Sequence, residues 1–171
     1  NYYFLSNVWL VANLPHIAIR GGGHRSQLVI ANAAGAHALH ITGSNGFLVQ
    51  NLSIGGIAGS GDGIRVGTLG GVCAAPESCR GLIQNVHVHS SVGTNGINLQ
   101  GALGTTILGS NIGGNLALPF SVSGGGTMLT GLFMAASTHN NAVTLVGTNI
   151  EGAQNYGIDM AVGTTEGLSV Y

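Results

Sequence analysis

The chain has 171 residues, enough for one domain with a buried core. Only 5% of them are charged, the formal net charge is -1 and Lys is absent, so the sequence carries no electrostatic footprint for nucleic acid or an anionic membrane. No apolar run reaches the roughly 18 residues of a membrane-spanning helix, and no membrane insertion is expected.

Glycine is abundant, at 31 residues, which by itself would suit a disordered chain. The regular Ile, Leu and Val argue otherwise, because their burial offsets the entropy of ordering. Residues 1–15 are apolar and irregular, and read as a lead-in strand or cap. The opening lacks a basic leader and a cleavage site, and the chain is expected to be processed or cut from something longer.

From residue 16 to residue 171 the sequence reads as one repeating domain. The clearest repeat is Gln50-Asn51-Leu52-Ser53-Ile54 followed by Asp62-Gly63-Ile64-Arg65-Val66. It returns as Gln84-Asn85-Val86-His87-Val88 followed by Asn95-Gly96-Ile97-Asn98-Leu99. Alternation at period two means strand, and the Asx-Gly pairs are expected to supply corners with positive φ. A unit that cannot bury its own apolar face stacks on its copies.

One strand family is predicted to point Ile17/Ile19, Leu39/Ile41, Ile64/Val66, Ile97/Leu99, Phe120/Val122, Val143/Leu145 and Ile158/Met160 inward. A second carries Leu28/Ile30, Leu52/Ile54, Val86/Val88, Ile112, Leu132/Met134, Ile150 and Leu168/Val170. A weaker third set includes Phe47/Val49, Leu82, Ile107 and Met128/Leu129. Steps within a family are roughly 22 to 25 residues, giving about seven coils of three short strands. Helix is excluded because glycines interrupt every segment and no long run has period 3.6.

Between the strands, residues 67–80 form an insertion containing Cys73 and Cys79. A disulfide there would close a small loop, worth about 2 kcal/mol, and would indicate an extracellular or virion setting. Two free thiols are the alternative. Without a second cysteine pair no zinc site is expected.

The two repeated phrases, each followed by a turn and Gly-Ile-x-Val or Gly-Ile-x-Leu, resemble coils of the right-handed parallel β-helix of the pectate-lyase-like superfamily. Ile19-Arg20-Gly21-Gly22-Gly23 before Gln27-Leu28-Val29-Ile30 is similar to an early coil of it. The resemblance covers about residues 17 to 170 and implies an all-β solenoid. It also implies polysaccharide as the ligand class, because the superfamily includes polysaccharide lyases, glycoside hydrolases and phage tailspikes.

The chain is poor in the chemistry such enzymes use. It has five acids, Asp62, Glu77, Glu151, Asp159 and Glu166. Glycoside hydrolysis generally needs two carboxyls about 5 to 9.5 Å apart, and Asn95 stands where a second Asp would be expected. Asp62, Arg65 and His40 are the most defensible catalytic candidates, with a turn role the simpler reading of Asp62. A neutral polar ladder of His40, Arg65 and Asn98, with His87 and His89 projecting beside it, is the candidate ligand groove. His87 and His89 have no third ligand in view, so no metal is expected, and no cofactor motif is present.

The expectation is therefore a module of a virion fibre, tailspike or secreted surface protein that contacts cell-surface or extracellular polysaccharide and is not catalytic on its own. A polysaccharide lyase or glycoside hydrolase is the first alternative, and a purely structural adhesin segment the second. A homotrimer or flanking domains of the same chain are expected to cover the ends of the stack.

Overall fold

A computed structural model describes residues 2–5, 7–31, 35–57, 59–67, 80–89, 92–114, 128–135, 140–161 and 165–171. For residues 2–5, 141, 165 and 166 only the backbone is described. The described residues form sixteen strands and no helix. In order these are β1 (Tyr2–Leu5), β2 (Trp9–Ala12), β3 (Ala18–Arg20), β4 (Gln27–Ile30), β5 (Leu39–Thr42), β6 (Phe47–Gly55), β7 (Ile64–Gly67) and β8 (Gly81–Val88). They continue with β9 (Asn95–Gln100), β10 (Thr105–Leu108), β11 (Asn111–Ile112), β12 (Thr130–Met134), β13 (Asn140–Val146), β14 (Asn149–Ile150), β15 (Tyr156–Met160) and β16 (Thr165–Val170).

All pairing is parallel, in a larger sheet of ten strands and a smaller sheet of six. The main path of the larger runs β1-β4-β6-β8-β10-β13-β16, and the smaller runs β15-β12-β9-β7-β5-β2. This corrects the expected right-handed parallel β-helix of about seven coils of three short strands. The strands lie in two stacked parallel sheets, and two of the three presumed families belong to one sheet. The physical reason sits at Asn51 and Asn85, which adopt φ of 56° and 50° inside β6 and β8. The chain turns there without leaving the sheet, so Phe47/Val49 and Leu52/Ile54 share one strand. Asn tolerates this conformation, and Asn85 Nδ2 donates to Asn51 Oδ1 at 2.7 Å.

The Asx-Gly pairs do something other than supply positive φ. Asp62, Gly63, Asn95 and Gly96 are not among the positive-φ residues. Gly63, Gly96 and Gly131 instead follow one another across the smaller sheet. A Cβ on Gly63 would meet the Gly96 carbonyl at 2.7 Å, and one on Gly96 would meet the Gly131 carbonyl at 2.7 Å. These positions need glycine for close backbone approach.

The core follows from register. In the smaller sheet Leu39 pairs with Ile64, Ile64 with Ile97, Ile97 with Leu132 and Leu132 with Ile158. In the larger, Ile19, Val49, Ile83, Ile107 and Leu145 pair in succession. Leu39, Ile64, Ile97 and Leu132 are wholly buried, each contributing about 1.5–3 kcal/mol. Three family assignments are corrected. Ile19 and Val143/Leu145 lie in the larger sheet, and Leu132/Met134 in the smaller. Phe120/Val122, Cys73, Cys79 and Glu77 lie outside the described residues.

Candidate functional site

On β7 the alternation turns Ile64 and Val66 into the core, where both are wholly buried, and so puts Arg65 on the outer face. Parallel register then sets His40 of β5 and Asn98 of β9 on either side of Arg65. Asp62, just before β7, reaches this same group. Its Oδ2 accepts from Arg65 Nε at 2.7 Å and from Asn98 Nδ2 at 2.9 Å. Its Oδ1 accepts from Asn95 Nδ2 at 2.7 Å. His40 Nε2 donates to the Gly67 carbonyl at 2.7 Å, and its ring meets that of His37 edge-on at 5.9 Å.

His37 was not singled out by the sequence, and it matters here. The backbone N–H of Asp62 donates to His37 Nδ1 at 3.0 Å, so that nitrogen carries no proton. The 3.4 Å between His37 Nδ1 and Asp62 Oδ2 is therefore a contact of a neutral ring, not an ion pair. Burial holds the His37 pKa below its ordinary value, overriding the opposing pull of the Asp62 charge.

Asp62 is wholly buried and both its oxygens are engaged. A carboxylate held this way organises its neighbours and is not placed to protonate or attack a substrate. The outer row of the smaller sheet continues from Asn98 to Phe133 and Asp159. Asp159 stands three strand spacings from Arg65, about 14 Å, too far to pair with Asp62 as the two carboxyls of a glycosidase. Among the described residues no group of three or more His, Cys, Asp or Glu is placed to hold a metal ion.

The sequence reading is corrected in three further ways. Asn98 is nearly buried, at 2% exposure, so it supports the row from beneath Arg65 and Phe133 instead of projecting from it. Its Oδ1 has no hydrogen-bond partner. His87 and His89 do not stand beside His40 and Arg65. They belong to β8 of the larger sheet and the residue following it, where His87 pairs with Ser53 and Asn111. Both are buried, with rings stacked at 4.3 Å and His24 edge-on to His87 at 6.1 Å. His87 Nε2 donates to the Gly113 carbonyl at 2.8 Å, while His89 Nε2 has no partner. Phe133 lies between Leu132 and Met134, which spacing placed in the other strand family, and it sits directly beside Asn98.

Comparison of the chain with models of protein families, with curated proteins and with solved structures finds no match. Nothing in these comparisons identifies the pectate-lyase-like superfamily.

Proposed function

We propose that the chain is a non-catalytic recognition module of a secreted or virion-borne surface protein, which holds an extended polysaccharide along the outer face of its smaller sheet. The observation that carries this reading is the row His40, Arg65, Asn98, Phe133 and Asp159 on five consecutive strands. Four strand spacings make a strip about 19 Å long. Arg65 offers its remaining guanidinium N–H groups at one end, where the His40 ring, its own N–H spent on the Gly67 carbonyl, leaves an acceptor nitrogen. Phe133 gives an apolar ring face in the middle and Asp159 an acceptor at the other end. Sugars present both hydroxyls and apolar C–H faces, and an aromatic flanked by polar groups suits them. The buried, fully bonded Asp62 favours binding over turnover.

The test is calorimetric titration with a panel of bacterial and plant polysaccharides, with reducing ends and unsaturated sugars measured in parallel. Binding without turnover, weakened roughly tenfold or more by Phe133→Ala and by Arg65→Ala, is the expected result. Turnover abolished by Asp62→Asn would make the chain a lyase or hydrolase. Binding untouched by Phe133→Ala would remove the strip from the account.

A further inference from the structure

Ile54 and Val88 turn into the core, so their neighbours Ser53 and His87, paired in register, face outward from the larger sheet. Both are nonetheless buried, as is His89. Part of their cover is residues 22–26, the turn between β3 and β4. Gly23 N–H donates to the Asn51 carbonyl at 2.9 Å, Ser53 N–H to the Ser26 carbonyl at 2.9 Å and Ser53 Oγ to the His24 carbonyl at 3.0 Å. The His24 ring stands edge-on to His87.

This turn is lightly held. It consists of Gly22, Gly23, His24, Arg25 and Ser26, with no large apolar side chain to bury. Gly22, His24 and Arg25 are exposed. Gly23 has φ of +106° and open space around it, so the Gly22-Gly23 pair can act as a hinge. Gly21 differs, because a Cβ there would run into the Asn51 carbonyl and the chain is fixed up to that point. Segments with few buried apolar contacts open locally at low cost.

Beneath the turn the His87 and His89 rings stack at 4.3 Å, inclined by 15°. His89 Nε2 finds no hydrogen-bond partner among the described residues. Glu151, after β14, is the one acid among the described residues that acts on His87, and none acts on His89. The turn itself adds His24 and Arg25 and no acid.

We propose that residues 22–26 are a strap that lifts from the larger sheet on acidification, when positive charge on His24, His87 and His89 drives these groups apart and into water. Burial, then the charges of His87 and His24, holds His89 down to about 4, and burial lowers His87 as well. With the strap off, water restores both toward the ordinary 6.5. Opening therefore takes up protons and becomes easier as pH falls below 6.5. His89 alone contributes up to about tenfold per pH unit, down to about 4.

Hydrogen exchange of the full chain tests this, followed amide by amide by NMR from pH 7.5 to 4.5 and expressed as protection over the unstructured rate at each pH. The Gly23 and Ser53 amides report the strap. Those of Gly63 and Ala135, bonded to the Asn95 and Leu99 carbonyls, report the rest of the fold. Protection of the strap amides is expected to fall roughly 100-fold, as two pH units below the ordinary value give for one histidine. Gly63 and Ala135 are expected to stay at least about tenfold better protected than the strap at the acid end. Strap amides as well protected as Gly63 at every pH would mean that the segment opens only when the whole chain unfolds, and would overturn the proposal. Strap protection that is level with pH overturns it too. Two variants locate the cause. His89→Leu removes the most depressed imidazole, and His24→Glu, at an exposed position, sets an acid over the charging rings and holds the strap down. Each is expected to shrink the fall roughly tenfold or more. A fall as large as that of the wild type in either variant overturns the proposal.

Discussion

Arg65 Nε lies 2.7 Å from Asp62 Oδ2, three residues back along the chain, and Asn98 of the next strand donates to that same oxygen. This joins a turn to two strands through one buried carboxylate. Asp62→Asn keeps the shape but removes the charge that Arg65 faces. Breaking a buried pair costs about 3–5 kcal/mol, and the partial exposure of Arg65 sets the expectation at the lower end, about 3 kcal/mol. Urea unfolding measures it. An Asp62→Asn protein as stable as the wild type would show that the carboxylate is not structural.

Asn140 carries a similar weight in another place. Its Oδ1 accepts from the backbone N–H groups of Gly101 and Ala102 at 3.0 and 2.9 Å, and its Nδ2 donates to the Leu99 carbonyl at 3.0 Å. The side chain thereby ties the start of β13, in the larger sheet, to the end of β9, in the smaller. Asn140→Ala leaves these buried groups unpaired at about 1–3 kcal/mol each, so a loss of at least about 3 kcal/mol is expected. Asn140→Asp should be nearly as harmful, because a carboxylate cannot donate to Leu99. A midpoint of urea unfolding unchanged in both variants would remove Asn140 from the framework.

These residues mark where reading the sequence succeeded and where it stopped. Alternation and a shared phrase were enough to pair Ile64 with Ile97 and to bring His40, Arg65 and Asn98 into one row. Counting by a fixed repeat failed after Leu99, since its partner Met134 lies further along the chain than the repeat allows. That slip moved Phe133 to the wrong family and hid the aromatic member of the row. Alternation also tells which side of a sheet a residue faces, but not what covers that side. His87 and His89 read as surface residues for this reason, yet His24 and its neighbours pack over them. Phe47/Val49 and Leu52/Ile54, on either side of Asn51, read as separate strands because nothing local distinguishes a turn between sheets from one within a sheet.

Gly67 tests the closeness of neighbouring strands. It has φ of +86°, and a Cβ there would run into the Gln100 carbonyl of the adjacent strand. Its own carbonyl holds His40. Gly67→Ala therefore combines an unfavourable backbone conformation with overpacking, and a loss of about 2 kcal/mol is expected. Gly23→Ala is the control, with φ of +106° but open space around it, and should cost less. Equal losses in thermal unfolding would mean that conformation alone matters and the strand contact does not.

The histidines set the acid limit of the fold. Burial first, then the positive charges that His87 and His24 would carry, holds the His89 pKa down to about 4. Burial lowers His87 as well, against the Gly113 carbonyl and the Glu151 charge, and lowers His37 across the molecule. All three are neutral in both folded and unfolded chains above the ordinary value of 6.5. Below it the unfolded chain binds protons that the folded chain refuses, so stability falls as pH falls. For His89 the window runs from 6.5 down to about 4, and the loss across it is about 3 kcal/mol. Thermal unfolding followed from pH 7.5 to 4.5 should show this decline, and His89→Leu should flatten it while leaving His87 and His37 to titrate. A melting temperature that is level across that range would mean that the imidazoles are open to water.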